Sequence, residues 1–365
     1  MKPLSGIKIL DLTRVLAGPL ATQILADLGA EVLKIERPGQ GDETRAWGPP
    51  YYDAAQGLSA YFLTANRGKE TRALDFNTPE HVKEIKNLAL NSDIVVENFK
   101  VGGLAKYGLD AQTLRAENPG LIYLSLTGFG QTGPRAGEAG YDLLLQGLSG
   151  LMSITGTPQA PTKVGVAVID IMTGLYGVIA ILAALRKRDQ DQGGTCIDLA
   201  LFDVAVAGLA NQAMNYLVSG QVPPRLGNAH PNIAPYEVYA ASDGHLILAV
   251  GNDGQFANFC QVAGLDLHQQ DRFATNAARV QNRDALNAIL QPLLLTQGRQ
   301  AWLDLLQPRK VPCGPIQSID EVFADPQAQA RELIHEVEGV PGIASPLMFD
   351  GVRLMSKTPP PAKKG

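Results

Sequence analysis

The stretch Val164–Leu185, VGVAVIDIMTGLYGVIAILAAL, carries a single charge, Asp170, among apolar or small residues. Lys163 precedes it and Arg186-Lys187-Arg188 follows. Length and flanks fit a membrane span, yet a spanning helix rarely tolerates an acid near its middle. The β-branched opening and the glycines Gly174 and Gly177 point instead to a buried β segment over Val164–Ile169 and a packed helix over Ile171–Arg188. Asp170 then falls at the junction. One reading makes it a structural N-cap that accepts hydrogen bonds from the first free amides of the helix. The other makes it a carboxylate kept ionised by those amides in a site mostly shut off from water, hence a nucleophile. The stretch alone favours the cap, and the rest of the chain has to decide.

A length of 365 residues suffices for one very large domain or two ordinary ones. Charged residues make up 18% and apolar ones 45%, a globular and not a disordered profile. The 31 basic residues against 36 acidic ones leave a net charge of −5. The basic residues form only short clusters, which argues against a nucleic-acid partner. Cys196, Cys260 and Cys313 are odd in number and far apart. They read as reduced thiols of a cytoplasmic protein, with neither a disulfide framework nor a metal site. The opening MKPLSGIKILDL enters a strand pattern at once, so no signal peptide and no membrane association are expected.

The chain opens with a βαβ unit: strand Ile7–Leu12, apolar helix Pro19–Leu28, strand Glu31–Glu36. Further strands are expected over Glu70–Phe76, Asp93–Glu97, Leu121–Leu126 and Cys196–Leu199, and helices over 79–91, from Tyr141 toward Gly150, and over 202–218. Strands alternating with helices predict an α/β fold with a Rossmann-like parallel sheet, whose ligands gather at the C-terminal strand ends. The first turn lacks the glycine fingerprint that a pyrophosphate needs. Gly128-Phe129-Gly130-Gln131-Thr132-Gly133 has its spacing, but Pro134 and a glycine-rich run follow where a helix would have to hold the phosphates. A mobile glycine loop is the better reading.

Ser219–Pro235 is rich in Pro, Gly and Asn and reads as a linker, and 308–315 is a second punctuation of the same kind. Between them Tyr236–Val250 alternates like a hairpin around Ser242-Asp243-Gly244, followed by polar helices. A large domain of residues 1–223 plus 319–365 and a smaller α+β domain of 224–318 are therefore expected. The five histidines are scattered, without HxxxH or CxxC spacing. His81 and His268 read as solvated, His245 as a hairpin residue, and His335 takes no role. His230, in the linker, could face a cleft.

Several short motifs occur in order. They include Pro3-Leu4-x-Gly6-Ile7, Asp11-Leu12-Thr13, Ala17-Gly18-Pro19, Lys34-Ile35-Glu36-Arg37-Pro38 and Asn66-Arg67-x-Lys69. Further on come Val96-Glu97-Asn98-Phe99, Gly140-Tyr141-Asp142 and Pro312-Cys313-Gly314-Pro315. Each is weak alone, but the ordered set resembles the class III CoA-transferases, the family of formyl-CoA:oxalate and carnitine CoA-transferases, through nearly the whole chain. The resemblance makes Asp170 the aspartate that forms the covalent aspartyl anhydride and aspartyl-CoA intermediates. It implies coenzyme A, carried as an acyl-CoA substrate. The implied contacts are Val15, Leu16 and Ala17; Arg37 near the phosphates or adenine; Leu74, Asp75, Phe76 and Asn77; Asn98, Phe99 and Lys100; Lys106, where some members carry an arginine; and Tyr141 and Asp142. Gly251-Asn252-Asp253-Gly254 is the nearest match to a closing glycine segment.

The resemblance further implies an interlocked homodimer, with no metal. The exchanged acids point weakly to succinyl-CoA or acetyl-CoA as donor and a small di- or hydroxycarboxylic acid as acceptor, with Arg225–Pro231 facing substrate. The same fold hosts α-methylacyl-CoA racemases, which work by acid–base chemistry. Those place a histidine directly before the aspartate, where this chain has Tyr141-Asp142, so a transferase is the leading expectation.

Overall fold

The computed structural model describes residues 2–364. Of the described residues, the larger of the two compact units comprises 2–152, 163–221 and 325–364; the smaller comprises 153–162 and 222–324. The sheet of the larger unit has six strands: β1 (Lys8–Asp11), β2 (Glu31–Glu36), β3 (Lys69–Ala73), β4 (Ile94–Glu97), β5 (Ile122–Thr127) and β6 (Cys196–Ala200). Their order is β3-β2-β1-β4-β5-β6, and every pair is parallel. The two halves diverge from β1, with Ile9 opposite Val32 on one side and Ile94 on the other. A crevice between the carboxyl ends of β1 and β4 follows from that reversal.

The central strands β4 and β5 are buried along their whole length because helices cover both faces of the sheet. On one side lie α1 (Ala17–Asp27) and α5 (Val168–Asp191), which bring Ala21, Leu25, Val178 and Ile181 against Ile9, Val32 and Leu124. On the other lie α2 (Pro79–Leu90) and α3 (Ala111–Glu117), which bury Ile85, Ala89 and Leu114 against Leu10, Ile35 and Val95. Two shorter helices, α4 (Asp142–Leu148) and α6 (Leu201–Ala207), complete this part, with Leu145, Ile169 and Leu201 in one small cluster. The helix expected over 202–218 is broken. It ends at Ala207 and resumes at Ala210, whose φ of 45° departs from the right-handed helix, while Gly208 packs against Met172, where a Cβ would stand 2.7 Å from Cε.

Helix α5 corrects the reading of the central stretch. No strand forms over 164–169, and the helix begins at Val168. Its first amides are satisfied from elsewhere: Ile169 and Asp170 N–H donate to Asp142 Oδ1 at 2.8 and 3.4 Å. Asp142 therefore takes the capping role, and Asp170 lies inside the first turn. Helix α5 is long and apolar enough to cross a membrane by composition, but Ile169, Val178, Ile181 and Leu185 are buried within the unit. Its other face leaves Leu175, Tyr176 and Ile179 exposed.

The two glycines of α5 mark close approaches. A Cβ on Gly174 would stand 2.8 Å from the Ala17 carbonyl oxygen, and one on Gly177 would stand 3.3 Å from Leu124 Cδ2. Gly174→Ala must push α5 away from the start of α1. Thermal unfolding should show a loss of about 1–3 kcal/mol, as for other overpacked contacts. Gly147→Ala, on α4 with open space around it, is the control, and should be neutral or slightly stabilising.

The smaller unit has an antiparallel sheet of β7 (Tyr236–Ala241), β8 (Gly244–Ala249) and β9 (Cys313–Pro315), with β8 central. Tyr239, Leu246, Phe256, Phe259 and Trp302 fill its core. Segment 153–162 joins this unit, which composition did not reveal. Gly227 N–H donates to the Gly156 carbonyl at 2.9 Å, and the Arg225 guanidinium donates to the carbonyls of Thr157 and Pro158. The C-terminal segment returns to the larger unit. Ser356 N–H donates to Asp27, Gly68 N–H to the Thr358 carbonyl, and Arg45 to the Pro361 carbonyl.

Candidate active site

The site begins with charges buried beneath the carboxyl ends of β1, β2 and β3. Asp11 is fully buried and accepts hydrogen bonds from Thr13 N–H at 2.8 Å, Thr22 Oγ1 at 2.7 Å and Lys69 Nζ at 3.0 Å. Burial alone would raise its pKa; the ammonium groups of Lys69 and Lys34 and the two hydroxyls outweigh it and hold the carboxyl well below the usual range. Lys34, also fully buried, donates to the Thr13 carbonyl at 2.6 Å and lies 3.0 Å from Asp42. Glu36 resists its own burial through a bidentate Arg45 (2.6 and 2.7 Å) and the nearby Lys34, and its pKa falls to about 2. These charged motif residues build the floor on which the β1 loop sits.

That loop is strained. Val15 has φ 72°, in the left-handed region, which is unusual for a β-branched residue and costs on the order of 1–3 kcal/mol. It is held from two sides. Asn98 grips Arg14 through both backbone groups, at 3.0 and 2.8 Å, and Asp42 accepts from Val15 N–H at 3.3 Å. The chain then enters α1 at Ala17 with no side chain capping its first turn.

Two hollows lie along this edge. The first is bounded by Leu12, Arg14, Arg37, Leu74, Asp75, Phe76, Asn77 and Phe99. The second is bounded by Arg14, Val15, Leu16, Ala17, Asn98, Phe99, Lys100, Tyr141, Asp142 and Asp170. Arg14 and Phe99 belong to both, with the guanidinium 5.4 Å from the ring centroid. Asp170 and all the coenzyme A contacts expected from the sequence therefore border one hollow or the other, except Lys106. Its ammonium lies 4.6 Å from the centroid of Tyr107 and borders neither.

Asp170 and Asp142 sit together at one end of the second hollow. Asp142 accepts the α5 amides on Oδ1 and Gln146 Nε2, at 2.7 Å, on Oδ2. Asp170 has lost those amides to Asp142. Burial and the negative charge of Asp142 push its pKa up to about 7. The expectation that helix amides keep Asp170 ionised is thus overturned.

The glycine-rich loop has its own use. Gly128 and Gly140 pass backbone against backbone: a Cβ on Gly128 would stand 2.6 Å from Gly140 Cα. That crossing delivers Tyr141 and Asp142 to the hollow, and no helix begins before Asp142.

Sequence reasoning missed Tyr61. Its pKa is raised by burial and by the negative charges of Asp170, Asp142 and Asp42. The edge of Trp47 lies against its ring at a centroid distance of 4.9 Å. No motif surrounds either aromatic. His81, expected to be solvated, is half-buried, and its Nδ1 accepts from Asp75 N–H at 3.0 Å. His335 likewise has a partner, Arg67, at 3.0 Å. Arg225 is spent on backbone carbonyls within the smaller unit, and His230 Nδ1 accepts from Asn232 N–H at 3.1 Å.

A family model described as CoA-transferase family III matches residues 4–364. The chain belongs to CoA-transferase family III. Over 369 residues it is 51% identical to a succinate–glutarate CoA-transferase of Agrobacterium fabrum, a match spanning 98% of this chain and 92% of that protein. It is 42% identical to the succinyl-CoA:glutarate CoA-transferase of Homo sapiens, across 99% of this chain and 83% of the human one. Among solved structures, a CAIB/BAIF family protein from Brucella suis superposes with a TM-score of 0.89 at 50% identity, covering 99% of this chain and 96% of that one. As a family III CoA-transferase the protein is an enzyme acting on CoA thioesters, and the racemase alternative is not favoured.

Proposed function

We propose that the enzyme transfers CoA from succinyl-CoA to glutarate or a similar dicarboxylate, with Asp170 as the nucleophile. The Asp170 carboxylate attacks the thioester carbonyl; its C–S bond breaks, giving an aspartyl–acyl anhydride and CoA thiolate. The thiolate attacks the aspartyl carbonyl, releasing the donor acid and leaving an aspartyl-CoA thioester. The acceptor carboxylate attacks that thioester, forming a new anhydride and freeing the thiolate again. The thiolate then attacks the acceptor's acyl carbon, and Asp170 returns as carboxylate.

The observation that carries this reading is the placement of Asp170 beside Asp142 in a hollow edged by the β1 loop. A carboxylate whose charge is disfavoured by burial and by Asp142, with the helix amides taken elsewhere, is the stronger nucleophile once ionised. The Ala17 amide, in the uncapped first turn of α1, is available to an oxyanion. The first hollow, with Arg37 and the rings of Phe76 and Phe99, suits the nucleotide end of CoA. The dicarboxylate pair is supported by the names of the relatives.

The homodimer and the cytoplasmic location belong to the same proposal. A partner would cover the apolar surface that Leu175 and Ile179 of α5, and Leu217 and Val218 beyond it, leave exposed, at up to 82% for Val218.

Intact-protein mass spectrometry after incubation with succinyl-CoA tests the chemistry. The parent should gain a CoA-sized adduct that glutarate discharges, and Asp170→Ala should gain none. No adduct with any donor, together with α-proton exchange on a branched acyl-CoA, would overturn the reading in favour of a racemase.

A further inference from the structure

The turn between β3 and α2 forms one wall of the first hollow, through Leu74, Asp75, Phe76 and Asn77. Its backbone is closely specified. Leu74 N–H continues the sheet to the Glu36 carbonyl at 3.0 Å, and Thr78 N–H closes the turn on the Asp75 carbonyl at 3.1 Å. Asp75 Oδ1 accepts from both the backbone and the side-chain nitrogen of Asn77, at 2.9 and 3.0 Å. Between these lies the Asp75 amide, whose acceptor is His81 Nδ1 at 3.0 Å. His81 is the third residue of α2, so its ring reaches back over a helix start that Thr78 does not cap with its side chain. A backbone N–H can only donate. The lone pair therefore sits on Nδ1, and the proton of the neutral ring on Nε2.

Phe76, next in the turn, packs against Phe99 at 5.3 Å and Tyr107 at 5.5 Å between ring centroids. The Asp75 peptide thus directly precedes the Phe76 ring and the Asn77 side chain, both on the wall of the hollow. Losing the Nδ1 acceptor leaves that amide free to turn.

We infer that His81 is a positioning residue for the nucleotide end of the CoA thioester, acting through the Asp75 amide on the Phe76–Asn77 wall. The inference rests on the reading of the first hollow as the CoA nucleotide site. It separates two thioesters of the same acid: succinyl-CoA, which carries the nucleotide, and succinyl-pantetheine, which lacks it.

His81→Phe keeps the ring and removes the acceptor. His81→Asn restores an acceptor close to the Nδ1 position. In the transfer assay, His81→Phe should raise KM for succinyl-CoA about fivefold, the weight of one hydrogen bond, with kcat within about twofold of the parent. Its KM for succinyl-pantetheine should stay at the parental value, and His81→Asn should stand near the parent for both. His81→Ala takes the same comparison if the phenyl ring prevents folding.

Equal KM increases for the two thioesters would overturn the inference, as would an Asn variant as impaired as the Phe variant, or a Phe variant with unchanged KM. A parent enzyme that did not distinguish the thioesters at all would refute the nucleotide placement itself. Discrimination in the parent that His81→Phe retains in full would refute only the role of His81.

Discussion

Asp170→Asn is expected to abolish CoA transfer, by on the order of 10⁴-fold or more, while making the folded protein more stable at neutral and alkaline pH. The first effect is removal of the proposed nucleophile. The second follows from linkage. The folded carboxyl has a pKa of about 7, against 3.8 ordinarily, because burial and Asp142 disfavour its charge. Between those values the folded chain binds the proton that the unfolded chain has released, so folding stability falls as pH rises from about 4 to 7 and is level above. Asparagine cannot ionise and escapes that loss. Its advantage should reach about 2 kcal/mol above pH 7, discounted for the carboxyl's partial exposure, and vanish below pH 4. Parallel denaturation curves from pH 4 to 8.5 read it directly. For the same reason adduct formation by the parent should rise with pH through about 7. A flat adduct profile, or an Asn variant less stable at pH 8, would show that Asp170 is ionised throughout.

The second large effect belongs to the charges beneath the loop. Lys69→Met leaves Asp11, completely buried, without its nearest cation. Breaking one side of a buried pair costs about 3–5 kcal/mol, because the remaining charge has no solvent to turn to. Tm should fall by roughly 5–10 °C. The double variant Asp11→Asn/Lys69→Met should recover part of the loss, since neither charge is then stranded. By contrast Arg72→Ala, which breaks an exposed pair with Glu84, should change Tm by less than about 2 °C. Equal losses for the buried and exposed variants would contradict the structure's division between them.

Part of the sheet could be read in advance because several strands are short apolar runs bounded by Gly, Pro and Asn; Leu121–Leu126, between Pro119-Gly120 and Gly128, is an example. What could not be read depended on partners distant in sequence. Helix α5 starts two residues before Asp170 because a carboxylate from residue 142 takes its amides, and no local pattern announces a cap 28 positions away. Segment 153–162 lacks a composition of its own and takes its place from the carbonyls that Arg225 grips. Tyr61 escaped notice and His81 reads as solvated because neither residue type nor spacing marks a half-buried aromatic or a histidine that holds a turn. The motif residues Asp11, Lys34, Glu36 and Lys69 were legible as a set, yet their place is under the site. A motif can report the scaffold of a reaction as readily as its chemistry.

The return of the C-terminal segment bears on how the chain is made. Asp27 pairs with Arg67, which is synthesised soon after it, but its remaining acceptor capacity waits for the amide of Ser356. Gly68 and Arg45 wait likewise, for the carbonyls of Thr358 and Pro361. During vectorial synthesis the first strands lack these partners until residues 356–361 clear the exit tunnel. Nascent chains arrested before residue 356 should therefore be protease-sensitive in the β1–β3 region, however much of the polypeptide has already appeared.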